Sequence, residues 1–177
     1  MRVFEKIEDL LEHCGFYGPI VVADFGCGAG HFAMPIAQRI SSSGKVYALD
    51  IQEPPLSVLR KEAKRAHLYN VHTMRADIER ALGSRLKDES VDKVVVANML
   101  FQTPEKKNVL LEANRILKKR GKLITVEWHT RHELPGPRRE LRVSPDTLKG
   151  LLTNANLPPI HAFELGSFHY GFISEKS

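Results

Sequence analysis

The sequence predicts an α/β fold, in which one domain holds a mostly parallel sheet of seven strands, helices on both faces and a C-terminal antiparallel hairpin. Three observations predict it. Short apolar runs alternate with amphipathic stretches, as do the strands and crossover helices of a parallel sheet. A glycine-rich turn follows the first apolar run directly. The chain has 177 residues, the size of a single domain, so we expect one domain over residues 1–177.

The composition is typical of a globular protein, with 42% hydrophobic and 27% charged residues. No stretch approaches the roughly 18 uninterrupted apolar residues of a membrane span, and the charged residues 1–6 lack the apolar core of a signal peptide. Cys14 and Cys27 form neither a CxxC pair nor a disulfide framework, which fits a reducing compartment. We therefore predict a cytoplasmic protein without a membrane span.

The formal net charge is +5, which would suit a polyanionic partner if the charge lay on one face. The Lys and Arg clusters are instead separated by sequence of mixed sign, with no aromatic residues between them to stack on bases. Ordinary solvated faces are therefore favoured over a nucleic-acid-binding surface, which remains the alternative.

The N-terminal segment, residues 1–15, is predicted to be an amphipathic helix that ends at Gly15. Its apolar residues recur at helical spacing and are Val3, Phe4, Ile7, Leu10, Leu11 and Cys14. The seven strands follow at residues 19–25, 45–50, 70–75, 91–97, 122–128, 160–165 and 167–174. Nearly continuous apolar runs such as Val94-Val95-Val96 are typical of strands that are buried on both faces.

Helices connect most of these strands. They are predicted to begin near residue 31, at Pro54-Pro55, at Pro104 and at Ser144, which caps the last helix. The helix that Pro104 opens includes Leu117, and Gly121 turns the chain into the next strand. The last two strands form a hairpin about Gly166 at the edge of the sheet.

Residues 129–143 contain two prolines and a glycine and have no apolar period, so we predict a long loop. Loops of this length in compact domains are often functional, and we expect a lid here. Its arginines suggest an anionic ligand or nucleic acid, with a solvated loop as the alternative. They are Arg131, Arg138, Arg139 and Arg142.

The glycine-rich turn, residues 24–30, opens a helix. Glycines let the backbone turn sharply and let a ligand approach it closely, and a helix N-terminus presents free amides. The dinucleotide fingerprint GxGxxG or GxGxxA, started at Gly26, requires a small residue where this chain has His31. Started at Gly28 it is matched formally through Ala33, so a NAD-binding oxidoreductase stays an alternative.

Acidic residues also mark the ends of the next two strands, since Asp50 ends the second and Asp77 follows the third. Together with Asp24 and the glycine turn, this pattern resembles the class I S-adenosylmethionine-dependent methyltransferases, which have a Rossmann-like sheet. Within that class the chain is most similar to the small group related to the quinone-biosynthesis C-methyltransferases. The resemblance runs from about residue 16 to the C-terminus. Its other motifs lie at residues 44–50, 98–101, 112–121 and 169–172.

The resemblance implies an enzyme that uses S-adenosylmethionine to methylate a small-molecule acceptor, with an RNA-modifying methyltransferase as the alternative. It implies a cofactor-binding set of Asp24, Gly26, Cys27, Gly28, Gly30, Asp50, Ile51, Asp77, Ile78 and Asn98. The glycine turn would lie under the methionine part of the cofactor, with Asp24 near its amino group. Asp50 would accept hydrogen bonds from the ribose hydroxyls, and Asp77 would accept one from the adenine amino group.

Apolar and amide side chains complete the implied set. Ile51 and Ile78 would sandwich the adenine ring, and Asn98 would line the methionine side. Cys27 lies within the turn, where its side chain is expected to be a small packing group.

Methyl transfer chiefly requires alignment and removal of water, with a base where the nucleophile carries a proton. His129 is the predicted base, because imidazole titrates near neutral pH and its strand end borders the substrate side. The other candidates are His132, Glu127, His31 and Tyr17. A loop histidine without a catalytic role is the alternative for His129.

No metal site is predicted. His129-x-x-His132 with Glu127 or Glu133 lacks the HExxH and HxxEH order of zinc sites. The chain's two cysteines are also fewer than the several that arsenite methyltransferases use.

Overall fold

The computed structural model describes residues 2–131 and 135–177. The strands are β1 (Arg2–Phe4), β2 (Val21–Phe25), β3 (Lys45–Asp50), β4 (Val71–Arg75), β5 (Val91–Ala97), β6 (Leu117–Trp128), β7 (Pro159–Leu165) and β8 (His169–Glu175). The helices are α1 (Ile7–His13), α2 (Ala33–Arg39), α3 (Glu53–Arg65), α4 (Lys106–Ile116) and α5 (Pro145–Asn154), with 3₁₀ turns at Leu100–Gln102 and Arg139–Leu141.

The described strands form one sheet in the order β1-β7-β8-β6-β5-β2-β3-β4. Only β8 runs antiparallel to its neighbours, β6 and β7, so the predicted mostly parallel sheet with a C-terminal antiparallel hairpin is confirmed. The chain leaves β2 toward β3 and β4 on one side, and later returns to place β5 and β6 on the other. The order therefore reverses between β2 and β5, where open α/β sheets bind their ligands at the carboxyl ends of the strands.

Two apolar layers bury the sheet. Helices α1, α2 and α3 pack on one face, and α4 and α5 pack on the other. Alternate residues of each central strand enter opposite layers, as Val95 and Val94 of β5 do. The apolar run of β5 is thus explained by burial on both faces, as predicted.

The N-terminal segment departs from the predicted helix over residues 1–15. Residues Arg2–Phe4 form strand β1, parallel to β7, and only Ile7–His13 are helical. Phe4 accepts a hydrogen bond from the amide of Gly166 (2.7 Å) and packs its ring edge-on against Phe163. The sheet therefore has eight strands rather than seven, and the hairpin lies one strand inside the edge.

Strand β6 begins earlier than predicted. Leu117 belongs to β6 rather than to α4, and the strand continues through Gly121. The pairing with β5 shifts register between Val91 and Lys93, and Arg120 has a left-handed φ of 60°. This irregularity accommodates the extra residues of β6 without ending the strand.

The described residues of the segment after β6 include a 3₁₀ turn and then lead into α5. Ser144 caps α5, because its hydroxyl accepts a hydrogen bond from the amide of Thr147, as predicted. Residues 132–134 of the predicted lid lie outside the described part of the chain. No helix in the described residues is long and apolar enough to cross a membrane.

Candidate functional site

The glycine turn is fixed by the neighbouring strand, because the amides of Gly26 and Cys27 both donate to the carbonyl of Leu49 at the end of β3 (2.8 and 3.0 Å). Gly26, Gly28 and Gly30 all have left-handed φ angles, of 67°, 52° and 98°. Residues other than glycine rarely adopt such φ angles, so the three glycines permit the turn.

The three glycines differ in what surrounds them. A Cβ atom at Gly26 would approach Met99 within 2.9 Å, and one at Gly30 would approach Leu59 within 2.4 Å. A Cβ atom at Gly28 would meet no atom within 4 Å. A side chain at Gly26 or Gly30 would therefore displace Met99 or Leu59, whereas Gly28 leaves open space beside the backbone.

Asp50 ties the turn to the start of α3. Its Oδ2 accepts a hydrogen bond from the amide of Gly28, and its Oδ1 accepts one from the amide of Gln52, both at 2.9 Å. Each carboxylate oxygen can accept a second hydrogen bond, so two acceptor positions remain on a side chain that is held rigidly.

A cavity of about 220 Å³ opens beside Asp50 at the carboxyl ends of β3 and β4. Five residues of the predicted cofactor set line it, namely Gly26, Asp50, Ile51, Asp77 and Ile78. The remaining lining residues are Gln52, Ala76, Glu79, Met99, Gln102 and Thr103. One wall is thus acidic, and the branched side chains of Ile51 and Ile78 stand at the same cavity.

Asp77 lines this cavity, although its carboxylate already has neighbours. Its Oδ2 lies 2.8 Å from Arg80 Nε, and its Oδ1 accepts a hydrogen bond from the amide of Glu79 (3.3 Å). The Arg80 side chain is largely exposed, so this ion pair is weak and leaves Asp77 accessible.

Asp24 lies under the turn with only 2% of its surface exposed. Burial raises the pKa of Asp24 to about 8; a hydrogen bond from the backbone of Ala33 opposes the rise, and the charge of Asp50 adds to it. Its Oδ2 has no hydrogen-bond partner among the described residues. An unpartnered buried carboxyl oxygen at this position suits a cationic group brought by a ligand.

Cys27 is buried, and its Sγ lies 3.6 Å from the carbonyl of Gly28. Burial, with the nearby carboxylates of Asp24 and Asp50, raises the pKa of the thiol, so it stays protonated. Its position fits a small packing group within the turn.

Asn98 follows β5 in a left-handed conformation, with a φ of 51°. Its neighbour Met99 lines the first cavity, whereas Asn98 lines a second cavity of about 190 Å³. The second cavity has the apolar lining residues Ile7, Phe32, Val126 and Leu165, the polar residues Glu5, His31, Asn98 and His169, and Gly166. The tip of β5 therefore separates the two cavities.

His129 lines neither cavity. Its Nε2 is 3.0 Å from Glu164 Oε2, its amide donates to the carbonyl of Phe168, and 9% of its surface is exposed. The same carboxylate oxygen of Glu164 pairs with Arg131. The structure thus places His129 in an internal ionic cluster, where burial restricts access to an acceptor, and its catalytic role stays a prediction.

The other predicted bases are scattered. Glu127 is fully buried and accepts backbone hydrogen bonds from the 3₁₀ turn after β5, including one from Leu100 (2.8 Å). Burial raises the pKa of Glu127 to about 7. Tyr17 is 71% exposed and lines neither cavity, and His132 lies outside the described residues. Only His31 of these candidates lines the second cavity.

Sequence reasoning missed two features of the site. His169, on β8, lines the second cavity, and Met99 separates the two cavities together with Asn98. The signal for His169 is the antiparallel pairing that sets it opposite Trp128 at the end of β6, which depends on the register of the hairpin.

Comparisons with known proteins agree with this geometry. A family model described as a methyltransferase domain matches residues 19–164. The chain belongs to the methyltransferase domain family. This membership agrees with the predicted methyltransferase activity, for which S-adenosylmethionine is the expected cofactor.

Curated relatives match about two thirds of this methyltransferase domain. It is 31% identical over 115 residues to a demethylmenaquinone methyltransferase of Listeria welshimeri, covering 65% of this chain and 47% of that protein. It is 33% identical over 119 residues to an arsenite methyltransferase of Aquipseudomonas alcaligenes, covering 62% of this chain and 34% of that protein. The chain thus spans about half the length, or less, of these relatives.

A solved structure supports the fold of the methyltransferase domain. A S-adenosylmethionine-dependent methyltransferase from Aquifex aeolicus superposes with a TM-score of 0.88 at 24% identity, covering 96% of this chain and 89% of that one. The structural likeness therefore extends over more of the chain than the matches to the sequence relatives do.

Proposed function

We propose that this chain, as a single domain, binds S-adenosylmethionine across the first cavity and the glycine turn, and transfers its methyl group to a small-molecule acceptor. One observation carries the proposal. The cavity brings together a carboxylate at the end of β3, a second after β4 and two isoleucines. Gly28, whose amide donates to the first of these carboxylates, leaves open space beside its backbone.

The residues present fit the cofactor part by part. Asp50 is held by two backbone amides and offers two further acceptor positions for a pair of ribose hydroxyls. Asp77 offers an acceptor for an adenine amino group between Ile51 and Ile78, which would contact the two faces of the ring. The unpartnered Oδ2 of Asp24 would meet the ammonium of the methionine part.

The sulfonium of this cofactor supplies an electrophilic methyl group when it is bound. The chain's contribution is then to position and to exclude water. The backbone of Gly28 allows close approach, and the loop at Asn98 and Met99, fixed by Glu127, holds the boundary between the two cavities.

An anionic acceptor was suggested by the arginines of residues 129–143. Arg131 pairs with Glu164, and Arg142 donates to three backbone carbonyls, so two of the four arginines serve internal contacts. The case for a basic lid, and with it for nucleic acid, rests on the exposed Arg138 and Arg139 alone. We therefore favour a small molecule.

Calorimetric titration with S-adenosylhomocysteine tests the proposal. We expect a saturable heat, and a loss of at least about tenfold in affinity for Asp50→Ala, because hydrogen bonds to a charged group contribute roughly 1.5–3 kcal/mol. Asp146→Ala, at an exposed position in α5, should bind as the wild type does. NADH should give no heat. Binding of NADH without binding of S-adenosylhomocysteine would contradict the proposal.

A further inference from the structure

The second cavity has the composition of an acceptor site, an inference that rests on the proposed function. Two of its lining residues are sequence neighbours of the predicted cofactor site. Asn98 directly precedes Met99, and His31 directly follows Gly30. A reacting group placed there would lie across the tip of β5 from the first cavity. Its volume of about 190 Å³ and four apolar lining residues suit a single substituted ring.

His169 is the most firmly held polar group of this cavity. Its ring packs against that of Trp128 with centroids 4.1 Å apart, and its Nε2 lies 3.3 Å from Asn98 Nδ2. Asn98 Oδ1 is buried and has no partner among the described residues. Rotation of the amide by 180° exchanges its nitrogen and oxygen, a choice that hydrogen bonding alone decides.

With the oxygen turned toward the ring, Asn98 Oδ1 accepts the Nε2–H of His169, and Nδ2 takes the buried position that has no partner among the described residues. The other ring nitrogen then keeps its lone pair, since a neutral imidazole carries one proton. An amide that orients a histidine in this way also stabilises the imidazolium that forms when the ring takes a proton.

The charges on the cavity wall define the acceptor. Glu5 is the one formally charged side chain among the described lining residues, and no Lys or Arg lines the cavity. A negatively charged acceptor would meet this carboxylate without a compensating cation. The wall therefore favours an uncharged molecule.

We propose that the second cavity binds an uncharged, ring-sized acceptor with one dissociable O–H, and that His169, oriented by Asn98, takes its proton. As the proton passes to the free imidazole nitrogen, a lone pair of the acceptor oxygen forms a bond to the methyl carbon. The carbon–sulfur bond of the sulfonium breaks, its electron pair stays on sulfur, and the products are the methyl ether, a neutral thioether and imidazolium.

The surroundings of His169 keep it neutral and ready to accept a proton. Burial lowers its pKa, and Coulombic interactions with His31, Arg142 and His129 lower it further. Glu5, on the segment between β1 and α1, is the acidic group on the same cavity wall. The imidazole is therefore unprotonated at pH 7, the state that a base requires.

Binding of two matched probes tests the proposal without turnover. 4-Hydroxybenzyl alcohol and 4-hydroxybenzoate differ in charge at one substituent, and each is titrated by NMR into protein saturated with S-adenosylhomocysteine. We expect the alcohol to bind at least about tenfold more tightly, a difference of about 1.4 kcal/mol. Gly166→Asn should leave the fold intact, because Asn tolerates the φ of 55° at this position. Its side chain would occupy open space at the cavity and should therefore weaken binding of the probe.

The pH dependence of binding tests His169 itself. An imidazolium cannot accept the probe's O–H, so affinity for the alcohol should fall as the pH drops through the lowered pKa of His169. His169→Gln should bind more weakly at pH 7 and lose this pH dependence. His31→Gln should retain it, and His67→Gln, on the exposed turn after α3, should behave as the wild type does.

Each alternative result overturns the proposal. Equal or tighter binding of 4-hydroxybenzoate, undiminished binding to Gly166→Asn, a pH dependence that survives in His169→Gln, or no binding of either probe at millimolar concentration contradicts it. S-Adenosylhomocysteine is titrated alone first. Absence of its heat overturns the proposed function and this inference together, whereas normal heat with any of these results overturns this inference only.

Discussion

Asp24 and Asp50 each lie near the carboxyl end of a central strand, yet the structure uses them differently. Asp50 is part-exposed, and both its oxygens accept backbone hydrogen bonds. Asp24 is buried, keeps one oxygen unpartnered and has a pKa raised to about 8. Spacing in the sequence marks both positions, but only the packing around them separates a rigid acceptor from a buried, protonated acid.

At the residue scale, Gly28→Asn is expected to weaken binding of S-adenosylhomocysteine strongly while leaving the fold intact. Asparagine tolerates the left-handed φ of 52°, and its side chain would enter space that no protein atom fills within 4 Å of the Cβ position. The ligand would then clash with the new side chain. Calorimetry should show a loss of at least about tenfold in affinity.

Gly18→Asn is the matched control for this change. Gly18 also has a left-handed φ, of 76°, and open space at its Cβ position, but it lines neither cavity. Both variants should unfold at similar temperatures, and Gly18→Asn should keep wild-type affinity. Unchanged affinity for Gly28→Asn would remove the glycine turn from the binding site.

At the scale of elements, the local sequence pattern predicted strands that are buried on both faces of the sheet. It failed where pairing with a neighbouring strand determines the conformation of a segment. The apolar run of β5 needs no partner to be recognised, and its bounds of 91–97 agree with the structure. Val3 and Phe4 fit a helical period as well, but the free edge of β7 pairs with them as a strand. His169 joins the site because β8 pairs in one particular register, which periodicity does not specify.

Arg142 offers a prediction at the scale of the loop after β6. This buried guanidinium donates to the carbonyls of His129, Pro135 and Pro137 at 2.6, 2.9 and 2.9 Å, and it lies over the ring of Trp128. Arg142→Met removes the donor from the buried carbonyl of His129, and one unsatisfied buried group costs about 1–3 kcal/mol. We expect a fall in the melting temperature of roughly 4–8 °C, measured by circular dichroism.

Arg139→Met is the control for this prediction, because Arg139 is exposed in the adjacent 3₁₀ turn. Its melting temperature should change by no more than about 1 °C, as is typical of surface substitutions. Equal effects of the two substitutions would show that the loop is not held by the Arg142 hydrogen bonds.

At the scale of the whole molecule, the site lies where the sheet order reverses, and the fold stabilises acidic groups in their protonated form there. Asp24 and Glu127 both end strands near the reversal, and burial raises their pKa values to about 8 and about 7. The positions of both residues near strand ends were recognisable in the sequence. Their protonation was not, because desolvation depends on the layers of helices that cover the sheet.

These raised pKa values predict how stability depends on pH. Unfolded, Asp24 releases its proton near pH 3.8, but folded it keeps the proton up to about pH 8. The raised pKa therefore contributes stability that is complete below pH 3.8 and is lost as the pH rises to about 8.

Asp24→Asn cannot ionise, so its free energy of unfolding relative to the wild type should rise between about pH 5 and pH 8. Urea denaturation of the variant and the wild type at both pH values measures this difference. The contributions of the other titrating groups are the same in both proteins and therefore cancel. Asp9→Asn, exposed on α1, should follow the wild type, and a constant difference for Asp24→Asn would show that Asp24 is ionised in the folded protein.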